Sequence, residues 1–307
     1  MRLPARGRAA GKVILLGEHA VVYGRPALAA GLGMGLTVEL APAAGPARLE
    51  SDRPELADDP RPQMLLAEAA AALDLPARDF VARVRSELPA GAGFGSSAAL
   101  AVALVRALGA AAGRPLDAPA ELALGRRLET VFHGHPSGID PAAAALGTCF
   151  RFVRGEPPIV TPLRPRAPVP LAIAFSGCPR STGAAVGALR GRWEREPDRY
   201  EALFDGIAAT VEAGREALVA GDHAALGAAF DRNQALLEAI GVSSAEVEEL
   251  ARVARRAGAL GAKLTGGGAG GAVIALAPDT ERVAAALRAH GARTVVARLE
   301  WMREETA

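Results

Sequence analysis

Cysteine, lysine and aromatic side chains are all scarce in this chain of 307 residues. The two cysteines, Cys149 and Cys178, are too few for a disulfide framework and lack the paired spacing of a zinc site, so both are interpreted as small buried hydrophobic residues. Aromatic residues make up 4% of the chain and the formal net charge is +1. A nucleic-acid-binding protein usually has a basic excess or stacking aromatics, so this composition disfavours that class.

Long uncharged apolar runs are also missing. No stretch approaches the roughly 20 residues that a membrane-spanning helix needs, and the N-terminal segment MRLPARGRAAGK lacks the apolar core of a signal peptide. We therefore expect a cytoplasmic protein.

The shortage of lysine is informative because basic residues as a class are not rare. Only Lys12 and Lys263 are lysines among the 35 basic residues, and the others are arginines. Lysine is a compact point charge on a flexible stem, whereas arginine is a wide planar fork. In a chain so biased towards arginine, a lysine indicates a position where a guanidinium does not fit. The alternative is that two lysines remain by chance.

Hydrophobic periodicity predicts alternating strands and helices in the first half of the chain. The pattern gives strands at 13–16, 36–40 and 80–85, and helices at 63–73, at 96 to about 112, and from near 117 to about 132. Ser96 is the expected N-cap of the second helix, with Gly113 and Pro115 just past its end. The glycine-spaced segment GLGMGL at 31–36 precedes a strand and is interpreted as a turn.

The second half begins after a proline-rich segment at 155–170, which is the expected crossing between two domains. A strand at 171–175 is followed by several helices between 182 and 257. Strands near 260–265 and 272–277, a helix at about 280–290 and a strand near 293–299 complete the chain. This order matches a ferredoxin-like split βαβ sandwich.

A glycine-rich loop that opens directly into a helix is the first candidate site. Gly91, Gly93 and Gly95 alternate in the loop and are followed by Ser96 and Ser97. Backbone N–H groups beside the positive end of a helix dipole form an anion site, and phosphate is the natural ligand. A plain turn with an N-cap is the alternative, but it would not need three glycines. Neither a Walker A loop nor protein-kinase motifs are present, and the acidic residue that a Rossmann site requires does not follow the loop.

Two carboxylates on either side of a tight loop form the second candidate site. Glu129 and Asp140 can converge on one metal–phosphate site, where one holds Mg²⁺ and the other receives a hydroxyl proton. The alternatives are a helix cap for Asp140, which precedes Pro141, and a solvated helix face for Glu129. A zinc site on His133 and His135 is disfavoured because no third ligand is evident.

Two further segments carry polar residues or glycine beside apolar strands. Lys12 begins a strand, and Glu18 and His19 lie in the turn that follows it. Near the C-terminus, KLTGGGAGGAVIAL at 263–276 has far more glycine than a hairpin needs. The excess indicates that another backbone or a ligand approaches closely.

These segments together resemble the GHMP small-molecule kinases. That superfamily has an N-terminal strand–turn segment, a Pro-x-x-x-Gly-Leu-Gly-Ser-Ser-Ala loop and a C-terminal glycine loop, and all three occur here in order. The segments GKVILLGEHAVVYG, HGHPSGID and CPRSTGAAV are most similar to the mevalonate kinase branch. Phe94 replaces the usual Leu and Ala10 replaces a Pro, departures that affect loop details rather than chemistry.

The resemblance implies an α+β fold of two domains, with ATP between them. Residues 1–165 would form an ATP-binding domain like the second domain of ribosomal protein S5, and residues 166–307 a ferredoxin-like domain. The reaction implied is ATP-dependent phosphorylation of mevalonate at its C5 hydroxyl, with ATP and Mg²⁺ as cofactors, no nucleic-acid or membrane partner, and a homodimer left open.

The resemblance also assigns roles to individual residues. Asp140 would take the hydroxyl proton while Lys12 keeps that carboxylate ionised and neutralises charge on the transferring group. The resemblance further assigns the ATP phosphates to the glycine-rich loop, Mg²⁺ to two side chains and the substrate to four side chains. The 266–271 loop would close over the glycine-rich loop. The residues in these groups are Ser86, Gly91, Gly93, Gly95, Ser96 and Ser97 for ATP; Ser97 and Glu129 for Mg²⁺; and Glu18, His19, Arg180 and Thr182 for substrate.

Three other functions stay open at this stage. The chain could be a GHMP kinase for another alcohol or for phosphorylated mevalonate, a non-catalytic binding relative, or, more remotely, a nicotinamide enzyme. Retention of Lys12, Glu129 and Asp140 together favours a kinase.

Overall fold

The computed structural model describes residues 1–53, 56, 58–89, 91, 93–132, 138–177, 182–268 and 270–300, and both strands and helices occur in them. The strands are β1 Ala5–Leu16, β2 Ala27–Pro46, β3 Arg48–Ser51, β4 Arg78–Ser86, β5 Cys149–Val153, β6 Ile159–Leu163, β7 Val169–Phe175, β8 Gly261–Thr265, β9 Ala272–Leu276 and β10 Arg293–Leu299. The helices are α1 Pro60–Ala72, α2 Ser96–Ala112, α3 Ala118–Glu129, α4 Ile139–Leu146, α5 Thr182–Arg195, α6 Pro197–Ala220, α7 His223–Ala239, α8 Ala245–Arg256 and α9 Thr280–Ala289. A short 3-10 helix spans Ala20–Tyr23.

The chain divides into two compact units. The first comprises Met1–Lys12 and Gly31–Gly147. In it β2 pairs antiparallel with β4, and β3 is parallel to β4 on the other side. Helix α2 packs against α1, α3 and α4. It is buried on most sides because its residues are almost all alanine, leucine or valine, and a left-handed Gly113 ends it.

The prediction of a turn at 31–36 is wrong, because these residues lie inside β2. A Cβ on Gly31 would come within 2.5 Å of the Gly147 Cα, and one on Gly35 within 2.2 Å of the Ala9 carbonyl oxygen. Glycine is therefore needed here for close backbone approach in an extended strand, not for a turn.

The second unit comprises Val13–Ala30 and Thr148–Ala307. Its four-stranded antiparallel sheet has the order β10-β7-β9-β8. Helices α7 and α8 pack on β8, and α9 packs on β7 and β10. The predicted order of strand, helices, strand, strand, helix and strand is confirmed, and with it the ferredoxin-like arrangement.

The units do not follow a single cut in the chain. Strand β5 pairs with β6 on one side and with Ala27–Ala30 on the other, so these segments group together. The proline-rich segment at 155–170 contains β6 and the first residues of β7. The continuous domain boundary at residue 165 stays a prediction.

Most predicted elements occur, with shifted ends. Strand β1 begins at Ala5, well before the predicted strand at 13, and α3 ends at Glu129 rather than near 132. Cys149 is buried as expected, and burial raises its pKa to about 12. Cys178 lies outside the described residues. No helix in the described ranges is long and apolar enough to cross a membrane.

Candidate active site

Lys12 and Asp140 form the centre of the candidate site, within the first unit. The Lys12 Nζ lies 3.1 Å from the Asp140 Oδ1, and the Lys12 side chain is 9% exposed. Lys12 is on β1, and its backbone N–H donates to the carbonyl of Phe94, which is buried beside the glycine-rich loop. The sequence-predicted pair of catalytic residues is thus brought together by a strand and a helix.

Asp140 is not the N-cap of its helix. Helix α4 begins at Ile139 after a left-handed Gly138, and no side chain caps it. Asp140 lies in the first helical turn, where the positive end of the helix dipole favours a carboxylate. The capping alternative therefore gives no reason for aspartate at this position.

The glycine-rich loop lies directly against this pair. Gly91, Gly93 and Gly95 all have left-handed backbone conformations, which glycine adopts without strain. A Cβ on Gly95 would lie 3.3 Å from the Asp140 Oδ2 and 3.4 Å from the Lys12 Cβ. The loop backbone and the ion pair therefore face the same small region.

Gly95, not Ser96, is the N-cap of α2, and no side chain caps that helix. The N-cap prediction for Ser96 is wrong because the left-handed turn at Gly95 already makes Ser96 the first helical residue. Ser96 and Ser97 thus lie in the first turn of α2, where backbone N–H groups point out of the helix. Ser86 ends β4, and its Oγ accepts a hydrogen bond from the Leu88 N–H at 3.2 Å.

Glu129 is the second carboxylate of the site and is only 3% exposed, so the solvated-face alternative is wrong. Burial, and next the negative charge of Asp140, raise the pKa of Glu129 to about 8, against the opposing charges of Lys12 and Arg126. Its Oε2 is buried and has no hydrogen-bond partner among the described residues. A buried carboxylate oxygen in this condition suits a cation as its partner.

Within the ranges that the structure describes, no cluster of three or more metal-ligating side chains occurs. Mg²⁺ commonly binds through one or two carboxylates together with substrate phosphates and water, so a sparse donor set suits it better than zinc or calcium. The histidines of the zinc alternative, His133 and His135, lie outside the described residues.

Glu18 and His19 belong to the second unit. The Glu18 and Lys263 side chains are both 0% exposed and form an ion pair, and the Lys263 Nζ also donates to the Leu264 carbonyl at 2.6 Å. Burial lowers the pKa of Lys263, and the charge of Glu18 opposes that shift. Composition singles out Lys263, but no sequence motif predicted its partner.

His19 lies beside the C-terminal glycine loop. Its Nε2 is 3.1 Å from the Gly267 carbonyl, which can only accept, so the proton is on Nε2. Burial, with smaller contributions from Arg192 and Lys263, lowers the pKa of His19 to about 4, despite the opposing bond to Gly267. The neutral ring leaves Nδ1 as an acceptor, and this buried atom has no partner in the described part of the chain.

The other predicted substrate residues cannot be placed in the site. Arg180 lies outside the described residues. Thr182 begins α5, but its side chain also lies outside them.

Models of the GHMP kinases match both halves of the chain, the "GHMP kinases N terminal domain" at residues 64–148 and "GHMP kinases C terminal" at residues 215–295. A mevalonate kinase of Pyrococcus horikoshii is 32% identical, and the alignment covers 94% of this chain and 93% of the relative. The crystal structure of L. major mevalonate kinase with R-mevalonate has a TM-score of 0.88 and 27% identity, covering 98% and 99% of the two chains. Streptococcus pneumoniae phosphomevalonate kinase, with a TM-score of 0.80 and 18% identity over 97% of this chain and 100% of that one, shares the fold.

The buried Glu18–Lys263 pair generates a stability prediction. Lys263→Met or Glu18→Leu alone should lower the free energy of unfolding by about 3–5 kcal/mol, because each leaves a buried charge without its partner. The double variant should recover most of that loss. Urea unfolding of the three variants measures it, with Arg190→Met at the exposed Arg190–Glu194 pair as the control, expected to cost about 1 kcal/mol or less. Additive losses in the double variant would contradict the prediction.

Glu129→Gln should change the pH dependence of stability in protein kept free of metal and nucleotide. The folded-state pKa of about 8 lies above the ordinary 4.5, so between these pH values the folded protein binds more protons than the unfolded chain. Ionisation of Glu129 therefore lowers the free energy of unfolding as pH rises between these two values, by about 1.4 kcal/mol per pH unit. Glutamine stays neutral, so the variant should melt close to wild type at pH 5 and above it at pH 9. A difference in melting temperature between the variant and the wild type that stays constant from pH 5 to pH 9 would contradict the raised pKa of Glu129.

Proposed function

This chain belongs to the GHMP kinase family, and from that premise we propose that it transfers the terminal phosphoryl group of ATP to the C5 hydroxyl of mevalonate. The products are 5-phosphomevalonate and ADP. The observation that carries the phosphoryl-transfer chemistry is the ion pair between the buried Lys12 and the partly exposed Asp140, 3.1 Å apart, against Gly95 of the glycine-rich loop. The choice of mevalonate rests on similarity to mevalonate kinases over nearly the full chain.

In the proposed reaction the C5 hydroxyl oxygen forms a bond to the γ-phosphorus while the bond from that phosphorus to the β,γ-bridging oxygen breaks. The bridging oxygen leaves with the electron pair as part of ADP, and the hydroxyl proton passes to the Asp140 carboxylate. Phosphoryl transfer has a loose transition state, so catalysis consists mainly of positioning and charge neutralisation. Lys12 contributes both, because its ammonium orients Asp140 and offsets negative charge on the transferring group.

Glu129 and Ser97 are the proposed ligands of Mg²⁺. The buried Glu129 Oε2, without a partner among the described side chains, supports this assignment. The ion would neutralise phosphate charge when it is bound. Glu129 must release its proton to bind a cation, and the raised pKa predicts that Mg²⁺ and a proton compete for this carboxylate.

The glycine-rich loop is the proposed phosphate-binding element, through the backbone of Gly91, Gly93, Gly95, Ser96 and Ser97. Left-handed glycines at alternate positions expose successive N–H groups, which suits an anion. Ser86 is proposed to support the nucleotide from the end of β4.

The second unit supplies the proposed substrate contacts. His19 offers its Nδ1 as an acceptor for a substrate hydroxyl, while Arg180 and Thr182 are proposed to meet the anionic end. Glu18 is fully buried against Lys263, so its proposed part in orienting substrate is exerted through the turn that carries His19. A cytoplasmic location and a homodimer are also proposals, and sedimentation of the purified protein tests the second.

A coupled assay of ADP release tests the reaction. Mevalonate should support turnover with Mg²⁺ and ATP, while homoserine, galactose and phosphomevalonate should support far less. Phosphomevalonate is the most demanding comparison because a kinase for it shares this fold. Turnover of another alcohol in place of mevalonate would overturn the substrate assignment and leave the phosphoryl-transfer chemistry in place. Nucleotide binding without turnover of any alcohol would favour a binding relative.

Lys12→Arg should lower kcat by about 100-fold, since an error of about 1 Å at the reacting centre can cost that much. The guanidinium is wider than the ammonium and would displace Asp140 or the phosphoryl group. The melting temperature should change little, because the positive charge beside Asp140 is kept.

Arg8→Lys is the matched control for Lys12→Arg, because Arg8 lies on the same strand in an exposed ion pair with Glu87. Its kcat and melting temperature should both stay close to wild type. Full activity of Lys12→Arg would show that Lys12 is a general positive charge. A large fall in the melting temperature of Lys12→Arg would show that Lys12 has a structural role.

A further inference from the structure

Arg106 connects the four elements that carry the proposed catalytic and phosphate-binding groups of the first unit. It lies on α2, the helix that begins with Ser96 and Ser97. Its Nη1 donates to the Arg8 carbonyl on β1 at 2.7 Å, and its Nη2 donates to the Ala145 carbonyl on α4 at 2.6 Å. Its Nε lies 2.9 Å and 3.0 Å from the two carboxylate oxygens of Glu121 on α3, and its Nη2 lies 2.6 Å from Oε2.

Each bonded element carries one of the proposed groups. Strand β1 carries Lys12, helix α3 ends at Glu129, and helix α4 carries Asp140 in its first turn. Arg106 itself is ten residues from Ser96, or about 15 Å along the helix. It is therefore too far along α2 to touch the substrate, but it bonds to the three elements that carry Lys12, Glu129 and Asp140.

The bonds also meet specific needs of those elements. Ala145 is in the last turn of α4, where carbonyls lack partners within the helix, so Arg106 satisfies an otherwise open helix end. Glu121 is largely buried, with a side chain 9% exposed, and bidentate pairing to a guanidinium compensates that burial. Only the arginine fork reaches a carboxylate and two carbonyls in different directions.

We propose that Arg106, with Glu121, is a positioning residue that fixes β1, α3 and α4 relative to the start of α2, and so sets the geometry of the Lys12, Glu129 and Asp140 groups. The inference rests on the proposed function for its effect on catalysis. Its physical content, a fixed register of four elements, is independent of which alcohol is the substrate.

Arg106→Lys tests the proposal because it keeps the charge and removes the fork. It should lower kcat by about tenfold or more, in keeping with the sensitivity of a reacting centre to small displacements. The KM for ATP should change much less. Amides in the second half of α4 should exchange hydrogen faster, because the helix end has lost its partner.

Arg255→Lys is the matched control. Arg255 in the second unit has a similar exposure, 31% against 30%, and also joins a carboxylate, Asp231, to a backbone carbonyl, Ala262. The same change there should lower the melting temperature to a similar, modest extent, since partly exposed ion pairs contribute little to stability. Its kcat should stay within about twofold of wild type, because Asp231 and Ala262, to which Arg255 is bonded, lie on none of the elements that carry the proposed catalytic groups. Assays are run at a fixed interval below each melting temperature.

The kcat values of these variants decide whether Arg106 positions the catalytic groups or has only a structural role. If Arg106→Lys has wild-type kcat, or if Arg255→Lys loses as much kcat for an equal loss of melting temperature, Arg106 has only a structural role. If Arg106→Lys does not fold, the kcat of Glu121→Gln is measured instead, because glutamine retains the shape of the side chain and one acceptor oxygen. A wild-type kcat in Glu121→Gln then overturns the proposal. If the wild-type protein has no kinase activity, the proposed function fails. Hydrogen exchange in α4 then still reports whether Arg106 fixes that helix.

Discussion

The candidate site depends on one buried lysine that is paired with a carboxylate. Lys12 is paired with Asp140, and burial, together with the negative charge of Asp140, raises the pKa of the nearby Glu129 to about 8. The charges of Lys12 and Arg126 favour the ionised form of Glu129, but they do not offset its burial and the negative charge of Asp140, so its pKa stays raised. A divalent cation accompanying the nucleotide would add positive charge beside this carboxylate. The raised pKa therefore supports the proposed role of Glu129 as a ligand of Mg²⁺.

Backbone segments pack closely around this lysine. Strand β1 bonds to the loop at Phe94, and the missing Cβ of Gly95 leaves the space that the Lys12–Asp140 pair fills. The same principle recurs in β2, where a Cβ on Gly35 would clash with the Ala9 carbonyl of β1, so glycine lets the two strands pack closely. Glycine therefore serves two purposes in the first unit: left-handed turns in the loop, and close strand packing elsewhere.

Hydrophobic periodicity and the positions of glycine predicted most elements, and also the order of strands and helices along the second unit. They did so because these patterns directly reflect which residues are buried. The errors have physical causes. GLGMGL was expected to turn, but sequence does not reveal which glycines are needed for space rather than for a left-handed conformation. Composition singled out Lys12 and Lys263. The family resemblance predicted Asp140 as the partner of Lys12, whereas Glu18 as the partner of Lys263 follows only from tertiary packing. The Arg106 network is non-local in the same way, and a lone charge in an apolar helix was its only sequence sign.

The contrast between the two lysines and Arg106 explains why a chain so rich in arginine keeps any lysine. Lys12 and Lys263 are both buried, and each places one Nζ against one carboxylate in a space closed on most sides. Arg106 is less buried and distributes its donors among three acceptors on three different elements. A point charge suits the first task, because the stem packs with apolar neighbours and a single ammonium needs little room. A planar fork suits the second, because its donors are fixed at the angles needed to hold several elements at once. Exchanging either residue type for the other should therefore impair the protein for opposite reasons: too much width at Lys12 and Lys263, and too few directions at Arg106.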